Sequence, residues 1–253
     1  MIYKRAIAKL RAQDWFAILV ELAIVILGVF IGTLVANANQ QRLEGKETQH
    51  RLEQLKPELQ RIVGRAALVR DYYAITRRYA EAAFAGWGND PKVSDSAFVI
   101  AAYQASQVKA MSTTSQSWAE LFGADQLRNI DDPAIRDPML RLMTYPSENL
   151  GIVRMQTKYR DTVRSIIPDA MQQAIRQRCG DNFTTPSALD LTLHDRCDLK
   201  LDPASAKTVA TDLRRHPELV EQLRLHLSTV ASLLNDVFIY DTAARRLGQA
   251  LDR

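Results

Sequence analysis

The chain has 253 residues, 47% of them apolar and 25% charged, with 10 glycines and 9 prolines; this excludes a disordered or collagen-like chain and is enough for one sizeable domain plus an accessory segment. Its formal charge is +4, yet Lys4, Arg5, Lys9 and Arg11 in the first 13 residues carry the whole excess of 33 basic over 29 acidic residues. No basic surface is left over for the folded part, so nucleic acid is not expected as a partner.

Residues 1–14 form a short basic tail in which only Asp14 is acidic. Residues 15–36 follow, 22 residues with Glu21 as the only charge. As a helix they extend about 33 Å, close to the thickness of a bilayer's hydrocarbon core. Trp15 suits the near interface, and the basic tail marks the cytoplasmic side. The expectation is a transmembrane helix in lipid, with the N-terminus cytoplasmic and the remainder exported. In a bacterial inner membrane that remainder is periplasmic. A cleaved secretory signal is the competing reading, since Ala36-Asn37-Ala38 fits an A-x-A site. Against it, the apolar run exceeds the usual length of about 7–15 residues, and Glu21 interrupts it.

A helix turns about 100° per residue, so seven steps from Glu21 to Gly28 and eleven to Gly32 each end about 20° from whole turns. The three residues share a face, to which Asn39 returns. Gly28 and Gly32 make a G-x-x-x-G, which admits another helix closely. A carboxylate in the span is costly against lipid. The implied partner is another transmembrane helix, from a partner protein or a second copy. The plainer alternative is a Glu21 that reaches water or is protonated.

Residues 37–51 read as a juxtamembrane segment, and residues 52–253 as the outer domain. After Gly45 a helical stretch runs to about Ala85. Its stripe of Leu52, Leu55, Leu59, Ile62, Ala66, Val69, Tyr73, Thr76 and Ala80 alternates three- and four-residue steps. It predicts a core stripe against neighbouring helices, with a self-associating coiled coil as the alternative. Pro57, on the outer face, starts or kinks the helix. Gly86, Gly88 and Pro91 end it, and Ser94 or Asp95 caps the next helix. A polar start at Ser112 to Ser117 precedes the helical stretch from Trp118. Asp132-Pro133 opens another helix, which Pro138 bends or restarts. Tyr145-Pro146-Ser147 breaks the chain before an expected helix from Ser147 to Ile167, and Pro168 restarts one to Arg178.

Cys179 and Cys197 bracket a polar loop, residues 179–197. An even cysteine count in an exported chain points to a disulfide. Free thiols, or a metal held by Cys179, His194 and Cys197, are the alternatives; the spacing matches no common zinc pattern, and no metal is expected. Asp202-Pro203 caps the next helix and Pro217 opens the last. There Leu219, Leu223, Leu227, Val230, Leu234, Val237 and Ala244 form one apolar side, and this helix is expected to pack against the first long one as the frame of a bundle. No stretch shows sustained period-2 alternation, so no sheet is predicted. The fold class is all-α: one N-terminal transmembrane helix followed by an exported helical bundle.

The segment ELAIVILGVFIGTLVANANQ resembles the N-terminal span of a group of bacterial single-pass membrane proteins of unknown function, with Glu21, Gly28, Asn37 and Asn39 at the corresponding places. The segment SQSWAELFGADQLRNIDDPAIRDPMLRLM is similar to a helical segment of that group. The two segments make up about a fifth of the chain. The resemblance implies an anchor and a helical outer domain, and carries no activity.

No nucleophile elbow, metalloprotease motif, phosphate loop or dinucleotide fingerprint is present, and no cofactor is expected. His50, His194, His216 and His226 read as surface or helix-end residues. Asp181, Asp190, Asp195, Asp198 and Asp202 lack calcium-loop spacing. Trp87, Trp118, Tyr72, Tyr73 and Tyr103 read as core. The pairs Arg77-Arg78, Arg214-Arg215 and Arg245-Arg246 read as solvated helix faces. The function expected is that of a non-catalytic subunit or scaffold of a membrane complex. The alternatives are an exported ligand-sensing domain and a proton-coupled subunit that uses Glu21.

Overall fold

The computed structural model describes residues 15–111, 127, 130–151, 156–183 and 191–253. The basic tail, the polar start at Ser112 to Ser117, Trp118 and Asp190 lie outside them. Among the described residues the chain is mostly helical: α1 Trp15–Trp87, α2 Asp95–Gln104, α3 Pro133–Thr144, α4 Lys158–Ile166, α5 Asp169–Cys179, α6 Pro203–Arg214 and α7 Glu218–Leu251. A 3-10 turn spans Ser147–Leu150, and strands β1 Asp181–Phe183 and β2 Leu191–Leu193 form a hairpin. The chain divides into two compact units, the first ending at Leu52 and the second running from Glu53 to Arg253.

In the first unit the helix is unbroken from Trp15 through residues 37–51, and Gly45 does not interrupt it. Gln40 donates to Glu44 at 3.0 Å and Arg51 pairs with Glu47, both one turn apart, which supports a polar helix by a few tenths of a kcal/mol each, about 0.2–0.5.

In the second unit the expected stripe on α1 is buried at every position from Leu55 to Ala80. These residues are spent on the chain's own core, so the core-stripe reading holds. Pro57 sits inside the helix on an exposed face, where the lost Glu53 carbonyl bond can be replaced by water. The α1 terminus closes with Asp90 N donating to Ala85 O at 3.0 Å and Asn89 N to Gly86 O at 3.3 Å, with Asn89 at φ 54°. Asparagine tolerates this left-handed position better than most side chains.

Helix α2 lies at the centre of one hydrophobic core cluster. From Phe98 to Gln104 every residue is buried, which is what an apolar run without a polar face requires. Ser94 caps it by accepting from Ala97 N, a contribution of about 1 kcal/mol. The end of α1, α4, α5, α6 and the start of α7 surround it through Ala80, Tyr159, Val163, Ile175, Leu213 and Leu223.

The two long helices do run alongside each other within this unit. Lys56 Nζ meets Asp252 Oδ1 at 2.8 Å, and Arg70 Nη1 meets the buried Asp241 at 3.0 Å. Residue numbers rise on α1 as they fall on α7, so the helices are antiparallel. Helix α3 packs on α7 through Met139 and Leu142, and Pro138 lies within it without ending it.

Three expectations are corrected. Of the helix expected from Ser147 to Ile167, Ser147–Leu150 forms a 3-10 turn, Lys158–Ile166 forms α4 with Thr157 as its own N-cap, and 152–155 lie outside the described residues. The Leu150 carbonyl accepts from Met111 N at 3.0 Å, a partner from another segment. A sheet exists: β1 and β2 pair antiparallel, with Asp181 opposite Leu193 and Phe183 opposite Leu191. Three-residue strands are too short to show alternation in sequence. Leu233 rather than Leu234 is fully buried on α7; the two stand about 100° apart round the helix, and packing turns the Leu233 side inward.

Candidate functional site

The span's proposed interface residues lie together on one side of α1 by helical periodicity. None of the helix's apolar window is buried. A side chain added at Gly28 or at Gly32 would meet nothing within 4 Å. The Thr33 hydroxyl donates to the Phe30 carbonyl at 2.8 Å, so this polar group is satisfied by its own helix. Glu21 is the one ionisable group in the span. The face thus combines open backbone at Gly28 and Gly32 with a carboxyl group two turns before Gly28.

The second unit holds a different feature, a buried polar segment. After α2 the chain leaves the helix at Ala105 and runs through the interior to Met111, with Ser106, Gln107 and Lys109 buried. Irregular backbone in a core carries polar groups that must find partners. Here side chains supply them. Tyr73 OH donates to Lys109 O at 2.8 Å and accepts from Lys109 N at 2.9 Å. Arg160 Nη1 donates to Ser106 O at 2.5 Å. Arg164 donates to Ser106 Oγ at 3.0 Å and to Gln107 Oε1 at 2.9 Å. Gln104 Nε2 donates to the Cys179 carbonyl at 2.5 Å.

Electrostatics follow from that burial. Burial pushes the Tyr73 phenol up to about 12, although Lys109 and Arg160 oppose it. Tyr72 rises above the ordinary phenol range through burial and then the Asp181 carboxylate, to which it donates at 2.8 Å. Arg164 is held below the ordinary guanidinium range by burial and by the charge of Arg160.

His226 is the chief residue the sequence placed wrongly. It is buried in the core, not on the surface. Its Nδ1 lies 2.8 Å from Thr157 Oγ1, and its ring centroid 5.6 Å from that of Tyr159. Burial and then Arg160 push it down to about 4, while a bond to the Ala105 backbone opposes them. The signal was present, since His226 follows Leu223 by three residues on the apolar side of α7. His194 and His216 do sit at the surface or partly so, His194 Nε2 at 2.8 Å from Asn182 Nδ2 and His216 beside Glu218. Trp87, Tyr72, Tyr73 and Tyr103 all enter the core, Trp87 edge-on to Phe98 at 5.1 Å.

Arg214 also departs from a solvated reading. It pairs with Asp95 at 2.9 Å, donates to Gly86 O at 3.1 Å and covers the Phe98 ring at 4.9 Å. It therefore joins α6 to the end of α1 and the start of α2.

Cys179 and Cys197 stand as a disulfide, with Cα atoms 5.4 Å apart. It closes the two ends of the hairpin segment. Tyr79 OH donates to His194 O at 3.0 Å and Arg78 pairs with Asp195, which dock that segment on α1. Asp202 caps α6 through Ser205. Among the described residues no three His, Cys, Asp or Glu side chains are grouped to hold a metal ion. No protein-family model, curated protein or solved structure matches the chain.

Proposed function

We propose that this is a non-catalytic, single-span protein of a bacterial inner membrane, with its N-terminus cytoplasmic and residues 52–253 periplasmic. It serves as a subunit or scaffold of a membrane complex and joins its partner through one face of the span. The observation that carries the reading is an apolar helical window, none of it buried, in which Glu21 shares a face with two open glycines two and three turns further on. A lipid-facing carboxylate costs on the order of 3 kcal/mol on insertion scales, whereas a helix seated on Gly28 and Gly32 removes it from lipid and offers it a hydrogen bond. The resemblance of the span to those of single-pass bacterial proteins is in keeping with this. So is a disulfide in the outer part, since such bonds persist in oxidising compartments.

The test is chemical cross-linking and co-purification from native membranes. Gly28→Leu and Glu21→Leu should each lose the associated chain while still fractionating with the membrane. Retention of every partner and oligomer by both variants would sink the interface.

A further inference from the structure

Arg160 and Arg164 stand one turn apart on α4 and converge on one residue, Ser106, the first on its carbonyl and the second on its hydroxyl. Arg164 also bonds Gln107 and lies over the Tyr103 ring at 4.6 Å. The Tyr103 hydroxyl accepts from Arg176 Nη1 at 3.2 Å. Three guanidiniums from two helices thus gather round Tyr103, Ser106 and Gln107.

Every acceptor that Arg160 and Arg164 meet among the described residues is neutral. Only Arg176 reaches a carboxylate, Asp169 at 3.5 Å, and that group is 75% exposed. Stapling one buried segment does not require like charges to be drawn together in a poorly screened place, where their repulsion is strongest. Each guanidinium carries five donors, and Arg160 uses one of its side-chain donors on the protein. Arg160 and Arg164 are half-buried, and Arg176, 44% exposed, opens the group to solvent.

We propose that the Arg160, Arg164 and Arg176 guanidiniums form a binding site for a compact oxyanion, a carboxylate or a phosphate; the Ser106 hydroxyl, which donates to the Tyr103 carbonyl at 2.7 Å and accepts from Arg164, holds Arg164 in place for it. The planar guanidinium fork matches two oxygens of either group. Bound there, the anion neutralises charge that meets only neutral acceptors at Arg160 and Arg164 among the described residues. The site lies in the second unit and does not depend on the span's interface.

The test is calorimetric titration of the full-length protein in a maltoside detergent at constant ionic strength. One arm uses inorganic phosphate, a second acetate, and a third short-chain phosphatidic acid. Saturable binding is expected in at least one arm, weakened at least about tenfold in Arg176→Gln and in Arg164→Gln, and unchanged in Lys92→Gln. Binding in the first or second arm identifies a soluble oxyanion, and binding in the third alone a lipid headgroup. Among the described residues the Arg176 side chain bonds only the Tyr103 hydroxyl and the exposed Asp169, and no backbone group of the buried segment, so its variant decides the matter if Arg164→Gln does not fold. The absence of saturable binding in all arms, or binding indifferent to Arg176→Gln, overturns the site.

Discussion

At the scale of single residues, the second unit spends polar side chains on holding backbone in its interior. Tyr73 and Tyr159 each use their hydroxyls on carbonyls, Lys109 O and Ala102 O, at 2.8 Å. His226 is the residue whose burial has a measurable consequence in pH. Its ordinary value of 6.5 falls to about 4 in the folded chain. Below 6.5 the unfolded chain takes up a proton that the folded chain refuses until about 4, so protonation favours unfolding. The stability contributed by neutral His226 is complete above 6.5 and declines as pH falls towards 4. Denaturant unfolding of the wild type and of His226→Gln across this range should diverge, with a slope difference of at most about 1.4 kcal/mol per pH unit. Parallel profiles would contradict the burial of this ring.

Among elements, α1 and α2 approach closely at Gly86. A Cβ added at Gly86 would overlap the Phe98 ring, whereas one at Gly88 would meet only carbonyl oxygens at 3.5 Å. Phe98 is fully buried, and Trp87 and Arg214 hold it from two other sides. Gly86→Ala should therefore cost about 1–3 kcal/mol through forced repacking, and Gly88→Ala should cost well under about 1 kcal/mol. Equal thermal midpoints for the two variants would refute the tight contact. The helices themselves were largely legible. Ser94, Asp132 and Asp202 each cap a helix as their residue type predicts. The α1 stripe was legible because its periodicity extends over many turns. The hairpin was not, since its pairing joins short strands across residues 184–190. Nor was the Leu150 carbonyl's partner, Met111, which is far away in sequence.

For the whole molecule, the proposed topology turns on which side of the membrane each end occupies. Alkaline phosphatase fused after Arg253 should be active, and β-galactosidase fused there should be silent. The reverse pattern would overturn the orientation. It would also leave the Cys179–Cys197 pair in a compartment that keeps thiols reduced.

The sequence by itself determined the helical class, the apolar run with its Glu21, Gly28 and Gly32 face, the α1 stripe, and the pairing expected of two cysteines. These are local patterns: caps act within a turn, and helical periodicity places residues on a face without reference to any other segment. Tertiary structure alone decided the polar interior. Tyr73 meets Lys109 across 36 positions, and Arg164 meets Gln107 across 57. No local period encodes such partners. A buried polar group takes whichever acceptor packing brings within reach, because leaving it without one is costly. For the same reason His226, read on its own helix as one more polar residue, became a neutral core side chain between Thr157 and Tyr159.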